Sequence, residues 1–299
     1  MEPYLMQLDS VLSIPTSSFN VQNRFKSLRQ LVLKFVDLTD ELFETILSGC
    51  TSLECLYLLH SRRLVNLKHT VPHLKLKCLE IYRCFNLEKM EIFAPNLVTF
   101  KYLGPIINIC IKDAKQLINV RLDTSRPYGY PDKNSLGLVN PQRTGFVFGQ
   151  FAGYLSQLEY LRMNVSCFEL GVPACYQTAS YFLKASPFLH RLELNFQLPP
   201  DGRQALTRIP ISEHKYLKEV FLSGFFGDKI VMDFIMDIVD CTIALERIDI
   251  TTCYLDGIMM TGGPISVMAL DDVARVKTSI RELRRRLPQY VQLNFLDDC

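Results

Sequence analysis

Large apolar residues recur along the chain in one fixed pattern, at positions 1, 4 and 6 of a short segment. The stretch Leu28–Leu58 contains its first two copies: Leu28, Leu31 and Leu33 form one, and the next starts at Leu53, 25 residues later. Alternate side chains of a β-strand point to opposite faces, so this spacing turns the apolar positions inward and the residues between them outward. The pattern therefore predicts a series of short strands, each with one apolar face.

Nine copies of the pattern share this register. They start at Leu28, Leu53, Leu76, Leu97, Leu117, Leu158, Leu189, Leu217 and Leu245. The last copy continues through Cys253 and Leu255, which completes the signature of a leucine-rich repeat. A single strand cannot bury its apolar face alone, so neighbouring repeats stack into one parallel sheet. The predicted fold is an α/β leucine-rich-repeat solenoid, a horseshoe with a parallel concave sheet and mixed short strands and helices on the convex side.

The segments between the strands predict three helices. Thr39 or Asp40 can cap the first helix, which Gly49 ends. Asp228 can cap a second helix, in which apolar residues repeat at every fourth position. The third helix is weaker and covers residues 176–185.

Shorter connections predict strands instead of helices. Between Leu76 and Leu122 the repeats leave too few residues for a helix. The alternating pairs Met90/Ile92 and Ile109/Ile111 predict brief strands on the convex side.

The two ends and one internal segment depart from the repeat. We predict that residues 1–27 form a partial N-terminal cap, residues 28–270 the repeat domain of about nine repeats, and residues 271–299 a C-terminal cap. The C-terminal cap combines a helix starting at Asp271 or Asp272 with a strand that alternates at Val291, Leu293 and Phe295.

An irregular insertion covers residues 124–145 within the repeat domain. It is rich in proline and glycine, which resist regular structure. We expect a loop there, followed by a helix over residues 147–155. The loop is either a tolerated surface insertion or a binding loop.

Composition excludes several classes of protein. The formal net charge of +2 is too small to require a nucleic acid or an anionic membrane as partner. The N-terminus lacks the basic region of a signal peptide, and no apolar run is long enough to span a bilayer. We expect a soluble intracellular protein, in the cytoplasm or nucleus, whose ten cysteines are mostly buried thiols rather than disulfides.

The sequence contains no recognisable catalytic motif or cofactor-binding loop. His69 and His73 lie four residues apart, but the nearby cysteines do not form the close pairs of a zinc site. We therefore expect no enzyme activity, no metal and no cofactor. A basic run from Arg275 to Arg286 suggests an anion-binding helix, although the solvated face of a capping helix is the favoured interpretation.

The outward residues of the strands are the candidate binding site. They combine aromatic and charged side chains, a mixture that is enriched at protein interfaces. We predict a protein-binding concave face formed by Tyr57, Tyr82, Lys101, Arg121, Tyr160, Arg162, Arg191, Glu193, Phe221 and Arg247.

Several motifs resemble plant F-box/leucine-rich-repeat proteins. They are LSGCTSLECL at 47–56, CFNLE at 84–88 and APNLVTFKY at 94–102. The segment 217–246, with LKEV and GFFG, is similar to the FBD-like C-terminal part of that family. The resemblance covers about residues 11–296. It implies the substrate-recognition part of an F-box-type ubiquitin ligase receptor, in which the repeats hold a protein target.

One part of that pattern is missing. The 27 residues before Leu28 are too few for an F-box, so a Skp-type adaptor is expected to bind only if the full gene product contains one. The alternative is a stand-alone leucine-rich-repeat scaffold or decoy, which binds a protein without delivering it to a ligase.

Overall fold

The computed structural model of the protein describes residues 5–9, 26–69, 75–105, 107–123, 153–166, 172–197, 213–252 and 270–296. The chain forms two compact units. Unit 1 comprises Met1–Arg126 and Val147–Tyr154, and unit 2 comprises Pro127–Phe146 and Leu155–Cys299.

Unit 1 contains a parallel sheet with one strand from each repeat. Its strands, in spatial order, are β1 (Leu5–Asp9), β2 (Gln30–Lys34), β3 (Cys55–Leu59), β5 (Cys78–Tyr82), β7 (Thr99–Leu103) and β9 (Asn119–Asp123). Three further strands, β4 (Asn66–His69), β6 (Lys89–Phe93) and β8 (Asn108–Lys112), lie between them in the chain and form a separate sheet.

The register of this sheet follows the leucine pattern. Leu31 pairs with Leu56 and Leu33 with Leu58, and the residues at the equivalent positions pair in every later strand of this sheet. These inward side chains are almost completely buried. Stacking strands in the same register gives each interior strand an apolar neighbour on both sides, which a single strand lacks. The predicted repeat architecture is confirmed.

The separate sheet of unit 1 lies in the connections between the main strands. It is parallel and consists of β4 (Asn66–His69), β6 (Lys89–Phe93) and β8 (Asn108–Lys112). The latter two confirm the brief strands predicted there. Strand β4 extends this sheet into the preceding repeat, where the alternating Leu67 and His69 are buried.

Helix α1 (Asp40–Gly49) occupies the longest connection of unit 1 within the described residues. Thr39 is its N-cap and accepts a hydrogen bond from the backbone N–H of Leu42, at 3.3 Å. Asp40 instead joins the helix to β4, because its carboxylate accepts bonds from the backbone N–H groups of Val65 and Asn66. Gly49 is the last helical residue and Cys50, not Gly49, is the C-cap.

Unit 2 contains five further parallel strands in chain order. They are β10 (Tyr160–Ser166), β11 (Arg191–Gln197), β12 (Glu219–Ser223), β13 (Arg247–Thr251) and β14 (Gln292–Leu296). The inward residues again align, with Leu192 opposite Leu161 and Val220. The strand predicted at Val291–Phe295 is β14, and it pairs with β13.

Longer repeats in unit 2 accommodate helices in their connections. These are α2 (Val172–Ala185), α3 (Lys229–Cys241) and α4 (Leu270–Arg286). Asp228 is the N-cap of α3, but its side chain makes no capping hydrogen bond. Helix α4 begins at Leu270, one or two residues before the aspartates that were expected to start it, a difference common at helix ends.

Ser61 and Cys84 stand at the ninth position of their repeats, counted from the first leucine, and their side chains form hydrogen bonds with backbone groups. Ser61 is fully buried, and its hydroxyl accepts a hydrogen bond from the backbone N–H of Leu38 in the preceding repeat. Cys84 is also buried, and burial raises the pKa of its thiol to about 12. Both residues are structural. Cys50, Cys55, Cys78, Cys84, Cys110 and Cys241 are free thiols.

The predicted N-terminal cap contributes a strand to the main sheet. Strand β1 pairs with β2 in parallel, and its Met6 and Leu8 stand at the register positions of Leu31 and Leu33. The insertion at 124–145 and most of the helix predicted at 147–155 lie outside the described residues; Leu155–Gln157 forms a short 3-10 helix. In the part of the chain that the structure describes, no helix is long and apolar enough to cross a membrane.

Candidate protein-binding face

The outward face of each unit consists of the side chains that point away from the buried leucines, at the first, third and fifth residue of a five-residue strand. All ten predicted binding residues lie at such positions. Unit 1 contains Tyr57, Tyr82, Lys101 and Arg121, and unit 2 contains Tyr160, Arg162, Arg191, Glu193, Phe221 and Arg247.

Glu80 organises the outward face of unit 1. Its carboxylate lies 2.8 Å from the ammonium of Lys101 on β7 and accepts a hydrogen bond from the hydroxyl of Tyr82 at 3.0 Å. The thiol of Cys78 lies 3.7 Å from the same carboxylate and 3.9 Å from the hydroxyl of Tyr57. These contacts connect three neighbouring strands through side chains alone.

The phenols and the thiol of this cluster remain protonated at neutral pH. Burial raises the pKa of Cys78 to about 12, and the nearby carboxylate of Glu80 adds to the effect. Burial and negative neighbours also raise the pKa values of Tyr57 and Tyr82 above their ordinary values. A protonated thiol is a poor nucleophile, so these groups are suited to hydrogen bonding rather than covalent chemistry.

Glu193 organises the outward face of unit 2 as Glu80 does that of unit 1. It is more deeply buried, with 5% of its surface exposed. Its carboxylate is held from both sides: Arg162 on β10 lies 3.3 Å from one oxygen, and the Nε of Arg191 donates to the other at 2.8 Å. Isolated buried charges are costly, and this pairing offsets the cost. Glu193 therefore positions the two arginines and has little surface of its own for a partner.

The ion pairs of unit 2 continue across β12 to β14. Glu219 lies 3.2 Å from Arg191 and 2.9 Å from Arg247. Arg247 Nε lies 3.1 Å from Asp249, which accepts a hydrogen bond from the side-chain amide of Asn294 at 2.8 Å. Together with Arg162 and Glu193, the network contains three arginines and three carboxylates, whose charges balance.

Tyr160 adds an aromatic surface at the start of this network. The guanidinium of Arg191 lies 5.9 Å from the centre of its ring, within the range of a cation–π contact. Burial and the carboxylate of Glu193 raise the pKa of Tyr160 to about 12. Burial alone would lower the pKa of Arg191, but Glu193 and Glu219 outweigh it and raise that pKa.

The fifth residue of several strands is outward but not accessible. Asn195, Ser223 and Thr251 of unit 2 are buried, and the hydroxyl of Ser223 donates to the side-chain oxygen of Asn195 at 2.9 Å. Asp123 of unit 1 is buried in the same way. At these strands the surface available to a partner is therefore narrower than the strand pattern implies, whereas fifth residues of unit 1 such as Lys34, Leu59 and Tyr82 are partly exposed.

The set of binding residues predicted from the sequence includes Glu193 but omits three other acidic residues that pair with its members. Glu80, Glu219 and Asp249 stand at outward positions, and Asn294 follows from the alternation in the last strand. A local pattern shows that such a residue points outward. It does not show that the residue pairs with a side chain about 30 positions away.

Side chains that commonly bind metals form no candidate site in the part of the chain that the structure describes. Within the described residues, no group of three or more histidine, cysteine, aspartate or glutamate side chains could hold a metal ion. His69 is buried, while His73 lies outside the described residues. The outward positions of the strands carry paired charges and aromatic rings.

Comparison with known protein families decides the relationship of the chain. A family described as "At1g61320/AtMIF1, LRR domain" matches residues 5–299. The chain belongs to this leucine-rich-repeat family. Its match starts at β1, in agreement with the strand that the structure adds before the first predicted repeat. No curated protein matches the chain in the corresponding search.

Membership of the AtMIF1-type leucine-rich-repeat family indicates a role in protein–protein interaction. The repeat fold predicted from the leucine spacing is thereby confirmed twice, by the strand register and by the family. Because the family covers both units, the outward faces of unit 1 and unit 2 are both repeat surfaces of the same kind.

Proposed function

We propose that this protein is a non-catalytic, intracellular target-binding protein, and that its repeats are the substrate-recognition part of an F-box-type ubiquitin ligase receptor. The observation that carries the binding role is the outward face of unit 2. There Tyr160 lies opposite Arg191 on the adjacent strand, and Phe221 lies opposite Glu193 on the next one, so that the three side chains share the outward face of β10, β11 and β12. Aromatic and arginine side chains of this kind are the residues that most often dominate binding energy.

The ion pairs support binding because they hold long side chains in place before a partner arrives. Arg162 and Arg191 are both fixed on Glu193, and Arg247 is fixed between Glu219 and Asp249. Ordering a free arginine on binding costs about 0.5–1.5 kcal/mol, and a side chain that is already ordered avoids most of this cost. A charge-balanced face also favours a partner with mixed polar and aromatic groups over a highly charged one.

The ligase role rests on the resemblance to plant F-box/leucine-rich-repeat proteins. The runs at 47–56 and 94–102 that carry it surround the turns before β3 and β7, where Cys50 and Ala94 are buried. The test is to purify the full gene product from its own cells and probe for a Skp-type adaptor and a cullin. Recovery of both supports the receptor role, and recovery of neither removes it while leaving the binding role intact.

The binding face has its own test. Phe221→Ala removes a half-exposed ring from the outward face, and we expect target capture to fall about tenfold or more, as for an interface hot spot. Tyr290→Ala removes an exposed ring from the turn before β14 and is the matched control. Equal capture by the wild type and Phe221→Ala, measured on proteins with equal melting temperatures, would remove unit 2 from the interface.

A stand-alone scaffold or decoy is the second candidate. It is supported by the family match, which describes a leucine-rich-repeat domain. A scaffold captures its target equally well in cells depleted of the ligase subunits, and target abundance does not rise on depletion. A ligase receptor predicts the opposite result for abundance, because its target is degraded only when the ligase is present.

A further inference from the structure

Helix α4 carries a stripe of unpaired positive charge that the proposed function does not use. Lys277, Arg281, Arg284 and Arg285 are exposed. Among the described residues, none of the four forms an ion pair or a side-chain hydrogen bond. At 3.6 residues per turn they fall within one sector of about 100°, and the stripe is about 12 Å long.

The opposite side of α4 holds the helix in position. Val276, Ile280 and Leu283 are buried, and the hydroxyl of Ser279 donates to the carbonyl of Gly227 at 3.0 Å. Arg275 donates from Nε to the carbonyl of Phe226 at 2.8 Å. The apolar face is thus committed to the protein core, and the basic stripe is presented on a fixed support.

Helix stability does not account for the stripe. The favourable effect of cations on a helix C-terminus is confined to the last turn, which explains Arg284, Arg285 and Arg286 but not Lys277 and Arg281. Arg281 lies four residues from both Lys277 and Arg285, and like charges at this spacing destabilise a helix. Among the described side chains of α4, the ion pair that forms is between Arg286 and Glu282, at 3.5 Å, and it includes none of the four residues of the stripe.

The charge is also concentrated in this helix. Residues 270–286 contain six basic and three acidic residues, a net charge of +3. The whole chain has 33 basic and 31 acidic residues, so the remainder has 27 and 28 and a net charge of −1. All the excess positive charge of the protein therefore belongs to one helix.

We propose that the stripe Lys277, Arg281, Arg284 and Arg285 is a second interaction surface, which binds an acidic segment of a protein. Guanidinium groups pair with carboxylates through two parallel hydrogen bonds, so three arginines in a row fit a row of carboxylates. A nucleic-acid surface is usually found on a strongly basic domain, whereas this chain has a pI of about 8.0. A membrane would be entered by an apolar helix face, and that face is buried here.

The probe is a fluorescein-labelled helical peptide with glutamates at positions i, i+4, i+7 and i+8, titrated against the full chain. We expect saturable binding that weakens as salt rises from about 50 to 300 mM, because exposed charges are screened. A peptide with glutamine at the same positions is expected to bind at least about tenfold more weakly. Equal binding of the glutamine peptide, or no binding of the acidic one, would overturn the proposal.

Arg281→Glu separates binding from structure. It places a carboxylate four residues from both Lys277 and Arg285, so we expect a higher melting temperature together with about tenfold weaker peptide binding. Lys215→Glu makes the same charge change at another exposed position, and should bind as the wild type does. A lower melting temperature for Arg281→Glu, or unchanged binding, contradicts the proposal.

Two further titrations identify the class of partner. Duplex DNA and vesicles containing phosphatidylserine are titrated under the same conditions, and tighter binding to either than to the acidic peptide would overturn a protein partner. Phe221→Ala should bind the peptide like the wild type. A loss there would place the peptide on the outward face of unit 2 and so contradict a separate surface.

Discussion

Adjacent residues in one strand have opposite roles in this protein. Leu192 is fully buried among the leucines of the core, and Glu193, the next residue, stands on the outward face between two arginines. The alternation follows from strand geometry, in which successive side chains point to opposite faces. Substitutions at these two positions therefore act through different physical mechanisms.

Leu192→Ala tests the core at the residue scale. The side chain is 0% exposed, so truncation removes apolar contacts and leaves a cavity. We expect the free energy of unfolding to fall by about 2–5 kcal/mol, measured by urea denaturation. Leu296→Ala, at a position that is 44% exposed in β14, is the control and should cost far less. Equal losses for both variants would contradict the assignment of Leu192 to the core.

Arg162→Ala tests the ion pairs. The side chains of Arg162 and Glu193 are 13% and 6% exposed, so removing the arginine leaves a buried carboxylate with one cationic partner fewer. We expect a loss of about 1–3 kcal/mol in the free energy of unfolding. Arg247 and its partner Glu219 are 37% and 34% exposed. Arg247→Ala should therefore cost no more than about 1 kcal/mol, because water can solvate the carboxylate of Glu219 once the arginine is removed. The opposite order of the two losses would show that Glu193 is accessible to solvent.

At the scale of elements, the length of each connection determined what forms there. The shortest connections, between β5 and β9, contain the strands β6 and β8, while the longer repeats contain α1, α2 and α3. These choices were predictable because an apolar alternation and a helical periodicity leave different patterns. Strand β1 was not predicted, since Met6 and Leu8 fill positions 4 and 6 of the repeat pattern but Pro3 stands where the other copies have their first leucine.

Gly227→Ala tests how α4 is held against the turn before α3. Gly227 has φ of +79°, and an added Cβ would lie 3.0 Å from the hydroxyl of Ser279 and 3.1 Å from the backbone of Arg275. Both the strained backbone and the contact are unfavourable, and we expect a loss of about 1–3 kcal/mol in the free energy of unfolding.

Gly153→Ala is the control for that substitution. Gly153 has no neighbouring atom within 4 Å of an added Cβ, so the same chemical change should be nearly neutral there. If thermal denaturation showed equal effects for the two variants, the close approach of α4 to Gly227 would not be the cause of the loss.

At the scale of the whole molecule, two histidines make stability depend on pH. Burial lowers the pKa of His214, although the carbonyl of Ser186, which contacts its Nε2 at 2.8 Å, acts in the opposite direction. Burial also lowers the pKa of His60, with Arg83 and Arg62 adding to the effect. The folded protein therefore binds fewer protons than the unfolded chain just below about pH 6.5, the ordinary histidine pKa.

The sign of the pH effect follows from that difference. Above about pH 7 both states are neutral at these histidines, and stability is unaffected by them. As pH falls below about 6.5 the unfolded chain gains protons first, so the free energy of unfolding should decrease. Urea midpoints at pH 7.5, 6.5 and 5.5 measure this, and His214→Asn should reduce the slope. An unchanged slope in that variant would exclude His214 as a source.

The sequence by itself determined the repeat, the direction in which each side chain points, and most of the strands. Those features depend on local periodicity, and nine copies of one pattern specify a register that a single strand leaves open. The apolar residues Leu31, Leu56 and Leu79 were placed correctly in the core for this reason.

Only the tertiary structure decided which outward residues meet and which are accessible. Glu193 touches Arg162 from 31 positions earlier, and Arg247 touches Glu219 from 28 positions later, because strand stacking brings distant side chains within hydrogen-bond reach. The same stacking buries Asn195 and Ser223, which the pattern placed outside. Local periodicity determines the direction of a side chain, but its contacts depend on the neighbouring strand, and that neighbour is remote in the sequence.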